Sequence, residues 1–370
     1  TCDVGPALHN GNSLEGDHME QLLRQMLDEF LMTHSPSGQE GEMDEAVRPW
    51  VERFCDGVWM DARGNLIGKI RGERPEEALA IAAHKDEIGA VVERIDDDGR
   101  IRLEGTPGIQ AWRYGEGPFD LIGDEVVTGV LSVGSCHTSD RSPDIHAAKN
   151  NKPMDWEISR VFTGLTHEEL LDRGVDVGCM AVVARSRKTP MYLGDRVCGY
   201  ALDDKGAVAA ALIAAKTLRE AAGERGGIPP TDVYFPITAA EEIGCSGGRY
   251  VARTLPVQTM IAIEVAPVAP EYAIEMSAAP VVNYKDKFVY HKGLSDRLCA
   301  IGDELGFGHQ RSLFRTMGTD AGEAFRSGTI ARAACVCFPT ENTHGYEMAH
   351  FESIINTGRM LGTYAANPEF

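Results

Sequence analysis

Hydrophobic positions along this chain follow two periods, and the switches between them divide the sequence. Between Met19 and Thr33 the apolar residues are Leu22, Leu23, Met26, Leu27, Phe30 and Leu31, the spacing of one helical face. Ser35-Pro36-Ser37-Gly38 breaks that pattern, a second helical period runs over about 42–54, and a hairpin-like segment ends near Gly72. Residues 77–83 read as a strand buried on both faces, stopping at His84-Lys85-Asp86-Glu87-Ile88-Gly89. From Arg94 to Arg187 the helical period vanishes except around 167–172. Short β-type runs and turns there predict a β-rich insert, and the polar stretch 144–155 predicts an exposed loop.

After the insert, α/β alternation resumes. Residues 204–219 predict a helix, with Val208, Leu212, Ala215 and Leu218 on one stripe and Asp204 as its cap. Strands are expected over 233–240, 260–265 and 331–338, and helices near 295–305, 320–326 and 351–364. The predicted organisation is α/β: one domain split over 19–93 and 188–370, interrupted by the insert at 94–187.

Composition narrows the classes. The 370 residues suffice for a large core and two domains. No apolar stretch approaches the ~18 residues of a membrane span. Residues 1–18 lack the pattern of a signal peptide and read as a disordered or vector-derived leader before Met19. A net charge of −20 argues against nucleic acid and anionic membrane as partners; it suits metals and amine-bearing substrates, although plain solubility is the default reading of excess acid. Nine cysteines without a CxxC pair, several inside apolar runs, predict a reduced, cytoplasmic protein.

The chemistry concentrates in five segments: His84 with Asp86, Asp203 with Asp204, Glu241 with Glu242, Glu264, and His344. Four stand at or just past the C-terminal end of an apolar run, where open α/β sheets place their ligand crevice. Glu264 lies within Ile261-Ala262-Ile263-Glu264-Val265, where a bare charge is costly unless paired or bound to a cation. Two histidines and three carboxylates suit a pair of divalent ions about 3.5–4 Å apart, leaving one spare carboxylate as proton acceptor. Alternation along a strand points Glu241 and Glu242 to opposite sides, one for a proton and one for a metal. The residues alone leave Asp203 against Asp204, and His344 against His350, open. Asp320 reads as a helix cap or as a residue near the substrate, and Lys85 as surface-facing. A metal-free glycoside hydrolase of cellulase type, using Glu241 or Glu242 with another acid, is the competing reading.

Six motifs in order then carry a resemblance. Ser35-Pro36-Ser37-Gly38-Gln39-Glu40, Ala83-His84-Lys85-Asp86-Glu87-Ile88-Gly89, Ala201-Leu202-Asp203-Asp204-Lys205, Glu241-Glu242-Ile243-Gly244, Gly318-Thr319-Asp320-Ala321 and Asn342-Thr343-His344-Gly345 with Glu347 resemble the M42 family of metallo-aminopeptidases. The resemblance covers nearly the whole chain from Met19. It implies a three-layer α/β/α zinc-peptidase-like domain with a small β-barrel-like dimerisation insert. It implies two divalent ions, zinc first and cobalt or manganese next. His84, Asp203 and Glu264 would hold one, and Asp203, Glu242 and His344 the other. Glu241 would be the general base, and Asp86 would orient His84. A short peptide or a small dipeptide-like metabolite would be the substrate, and dimers building to a dodecamer the assembly. The chain departs from the family's usual residues at Lys85, Thr163, Lys205, Glu264, Glu341 and Gly345, which bears on substrate preference more than on the metals.

Overall fold

The computed structural model describes residues 11–150, 152–224 and 226–369. A mixed sheet of eleven strands forms the centre. Four of its strands run parallel side by side: Thr231–Thr238, Arg74–His84, Val257–Pro267 and Arg332–Glu341. Their residues alternate cleanly between two cores. Leu79, Ile81, Phe235, Ile263 and Val336 enter one, while Ala80, Ala82, Tyr234, Ala262 and Cys335 enter the other. Burial on both faces explains why these segments read as unbroken apolar runs. Each fully buried Leu, Ile or Phe among them contributes about 1.5–3 kcal/mol.

Helices Gly11–Phe30, Gly41–Phe54, Leu202–Glu224, Lys292–Glu304 and Phe351–Ala366 cover the first face, and Ser246–Thr254 and Asp320–Arg326 the second. This is the expected three-layer α/β/α arrangement. The 202–224 and 351–366 helices touch backbone to backbone. A Cβ on Gly358 would stand 2.6 Å from the carbonyl of Ala210, and one on Gly362 2.6 Å from that of Ala214.

The insert is a closed six-stranded barrel, built from strands between Ala90–Ile95 and Met180–Val183 around its own core of Val92, Leu103, Phe119, Leu121 and Val161. Part of the segment expected to be a loop, 144–155, is instead the exposed helix Pro143–Asn150. Its polar composition hid a helix that buries none of its residues. Of the expected leader, residues 1–10 lie outside the described residues, and the first helix begins at Gly11, ahead of Met19.

The barrel is tied to the sheet domain by buried charges. Lys188 donates to both carboxylate oxygens of Glu87, at 2.6 and 2.8 Å, and lies 3.0 Å from Nδ1 of His34. The other ring nitrogen of His34 meets Asp120 of the barrel at 2.9 Å. Lys205 approaches the same Glu87 at 3.6 Å.

Candidate active site

The parallel strands deliver their C-terminal ends to one crevice. Register pairs Ala82 with Ala262, so two residues further His84 and Glu264 stand side by side on the same face. Asp203 and Asp204 open the 202–224 helix but have non-helical backbone angles, and the peptide between them is cis. The Asp204 carboxylate accepts from the backbone amide of His84 at 3.2 Å instead of capping its own helix, and it joins the cluster.

Two groups of ligand-type atoms result, each with all atoms within 4.8 Å of one another. The first is His84, Asp203, Asp204 and Glu264, and the second is Asp203, Glu242 and His344. Asp203 belongs to both. Its Oδ1 lies 3.2 Å from Nε2 of His84 and its Oδ2 3.5 Å from Nε2 of His344. Glu242 completes the second group, 3.7 Å from His344. His350, the rival of His344, instead stands at the start of the last helix, where its ring lies 3.4 Å from Asp195.

Charge and burial in this crevice are badly matched. Burial, with neighbouring carboxylates, pushes Asp204, Glu242 and Glu264 well above the usual carboxylate range. Burial also pushes up on Asp203, but hydrogen bonds from His344 and His84 outweigh it and hold the group low. Burial opposes the charge on His344, yet Asp203 and Glu242 raise it to about 10. Buried Oε1 of Glu242 and Oδ1 of Asp204 have no hydrogen-bond partner. A site that draws protons onto imidazoles and carboxylates alike, while leaving acceptor oxygens unpaired, has the donor set and charge that divalent cations neutralise.

Glu241 and Glu242 do separate, but not through strand alternation. The strand ends at Thr238, and Ala240 takes a left-handed turn with φ of 53°. The loop sends Glu242 to Asp203 and His344, and Glu241 to a different neighbourhood with Cys245 and Asp320. Cys245 donates its thiol to Oε1 of Glu241 at 2.9 Å. Burial first, then the Asp320 charge, raises Glu241 to about 7. Asp320 is the first residue of its helix, not the cap. Thr319 caps, and Asp320 accepts from Thr238 at 2.5 Å and from the Gly248 amide.

Asp86 is a hub. It accepts from the backbone amides of Glu241 and Glu242 at 2.9 and 3.2 Å, and from Ser37 at 2.6 Å. Its carboxylate lies 3.4 Å from Nδ1 of His84, and its own carbonyl is closer at 3.1 Å. Lys85 is fully buried, not surface-facing, and is paired to Asp44 and the Gly64 carbonyl.

Several supporting residues had no assigned role in the sequence reading. Glu347 accepts from the amides of Asp203 and His344, each at 2.9 Å. Glu40 accepts from the Ala240 amide, and Glu87 from that of Ser35. Their motifs marked Glu40, Glu87 and Glu347, but nothing in sequence spacing assigned the contacts. His34 carried no signal at all.

The crevice opens into a cavity of about 670 Å³. His84, Asp203, Glu241, Glu242, Glu264 and His344 line one side. Lys287 and Met317 from the sheet domain, and Gln110, Trp112 and Arg113 from the barrel, line the rest.

Residues 64–360 match the M42 glutamyl aminopeptidase family. The chain belongs to the M42 peptidase family. As such it is a metal-dependent aminopeptidase. A relative from Acetivibrio thermocellus, itself provisionally assigned as an aminopeptidase, is 24% identical over 352 residues, covering 92% of this chain and 98% of its own. The aminopeptidase APDkam598 from the archaeon Desulfurococcus kamchatkensis superposes with a TM-score of 0.81 at 21% identity, over 94% of this chain and 95% of that one. The TET1 peptidase of Pyrococcus horikoshii gives 0.78 at 22% identity, over 93% and 99%; it can assemble into a tetrahedron or a large octahedral shell. At these identities the superpositions establish the shared fold. Among the described residues no helix is long and apolar enough to cross a membrane.

Proposed function

We propose that this M42 peptidase removes N-terminal residues from short peptides at a dinuclear metal centre. The observation that carries the reading is the pair of ligand groups sharing Asp203, with Glu241 beside them but in neither. His84, Asp203 and Glu264 hold one ion, and Asp203, Glu242 and His344 the other. Their mixed imidazole and carboxylate donors suit zinc first, with cobalt or manganese as alternatives. Bound there, two divalent ions supply Lewis acidity toward a peptide carbonyl and make a water acidic at neutral pH. Glu241 takes the proton from the attacking water and returns it to the departing amine. Asp86 keeps His84 oriented and, through two amides, fixes the Glu241–Glu242 turn.

The assembly we infer is a dimer building to a dodecamer, in the cytoplasm. Val126, Val130 and Phe162 support the oligomer: they sit on adjacent barrel strands, face outward and are about half exposed. The eight described cysteines are all free, in keeping with a reducing compartment.

The deciding experiment combines metal analysis with a panel of aminoacyl-anilides, with and without chelator. Activity that disappears on chelation and returns with Zn²⁺ or Co²⁺ supports the reading. Activity on glycosides that survives chelation overturns it in favour of a two-carboxylate glycosidase.

A further inference from the structure

One wall of the crevice comes from the barrel, and it touches the metal-site loop directly. Between the barrel strands Ile101–Gly105 and Gly117–Ile122 the chain forms a loop and the single-turn helix Ala111–Tyr114. Arg113 reaches across and donates from Nη2 to the carbonyl of Thr343 at 2.6 Å. The carbonyl of Gly108 lies 3.2 Å from Nδ1 of His344. Tyr114 stacks on Tyr200 at 5.7 Å, and Tyr200 meets Tyr346 edge-on at 5.0 Å. Arg113 of this turn therefore grips the loop directly beside His344, while Tyr114 reaches its far side only through Tyr200.

The fit is close, tightest at Gly108. A Cβ on Gly108, whose φ is +89°, would stand 2.7 Å from the His344 ring. One on Gly345 would stand 3.3 Å from Nε of Arg113. The loop also needs outside support, because Asn342 and His344 both hold left-handed φ near 58–59°, at a cost of about 1–3 kcal/mol each. Glu347 secures the His344 amide from the sheet side. The ring itself is oriented from the barrel side: the Gly108 carbonyl holds Nδ1, which leaves Nε2 as the ring atom that faces Asp203 and Glu242 and would meet an ion there.

We propose that Arg113, acting with the Gly108 carbonyl, is a positioning residue for the metal position that uses His344, so that the inserted barrel is a working part of the metal centre. This rests on the reading of His344 as a ligand. The test is calorimetric titration of stripped, full-length protein with Co²⁺, with metal content measured after dialysis. Arg113→Ala should weaken one of two Co²⁺ sites by about 10–100-fold and leave the other unchanged. Its kcat should recover as Co²⁺ is raised, with KM unaltered, which a general packing defect would not produce. Arg113→Lys, which can still give one hydrogen bond to Thr343, should fall between Arg113→Ala and the parent.

His344→Ala separates the two ideas. If it still binds two equivalents at parental affinity, the ligand reading itself is wrong. If it loses one equivalent while Arg113→Ala binds two at parental affinity, the barrel inference alone is overturned. Should Arg113→Ala not fold, parental affinity at both sites in Arg113→Met, which keeps the apolar stem and cannot donate to Thr343, overturns it equally.

Discussion

Glu241 and Glu242 are adjacent and both buried, yet they face different groups, and single substitutions should separate their roles. Glu241→Gln keeps the shape and removes the base. It should lower kcat by at least about 100-fold while two equivalents of metal remain by elemental analysis. Retained turnover would sink the assignment. Cys245 modulates the same carboxylate: its thiol hydrogen bond works to lower the Glu241 pKa against burial and Asp320. Cys245→Ala should therefore raise that pKa, and because a base must be deprotonated to act, the acidic limb of the kcat/KM profile should move to higher pH. Glu264 and Asp204 show why sequence alone stopped short at this scale. A Glu inside an Ile-Ala-Ile-Val run announced a cation, but only the first turn of the 202–224 helix, bent out of helical geometry, brought Asp204 beside it.

At the scale of elements, the 202–224 and 351–366 helices form the largest helical contact beneath the site. Small residues line both: Gly358 and Gly362 against Ala210 and Ala214. Gly362→Leu would drive a side chain into the Ala214 carbonyl, so it should lower stability by about 1–3 kcal/mol or more, read as an earlier urea midpoint. An unchanged midpoint would mean the helices can separate freely. The boundaries of the parallel strands were legible because burial on both faces leaves continuous apolar runs. The 143–150 helix was not, because nothing in its sequence needed burying. The loop at 239–245 is indistinguishable in sequence from a strand end, since a left-handed Ala240 has no sequence signature.

At the scale of the whole molecule, the buried charges around Glu87 join barrel, first helices and metal-site helix. Burial raises the Glu87 pKa, but Lys188 and Lys205 outweigh it and hold it at about 2, below its ordinary 4.5. A carboxylate depressed on folding stabilises fully above its unfolded pKa and loses that contribution as pH falls through 4.5 toward 2. Asp120, where burial is outweighed by hydrogen bonds from His34, Thr128 and the Arg185 amide together and the group is held at about 2, acts in the same direction. Glu87→Gln should thus cost about 3–5 kcal/mol near neutrality, with the gap to the parent closing as pH falls toward 2 in denaturation curves. A gap independent of pH would exclude the charge as its cause. The inferred dodecamer is tested by light scattering: Val130→Lys and Phe162→Glu together should leave smaller particles that keep the metals.

Order and type of the main elements followed from the sequence because burial is a local property, and charged groups at the ends of apolar runs marked His84, Glu242 and Glu264 as candidates; the choice of Asp203 over Asp204 and of His344 over His350 rested on the family resemblance. The division of labour among neighbours was decided by tertiary structure. Asp203 faces both histidines, Lys85 is buried, and His34, Glu347 and Arg113 act across more than eighty residues of chain or from another domain. Such contacts depend on where distant loops meet, and no period or spacing along the chain encodes that meeting.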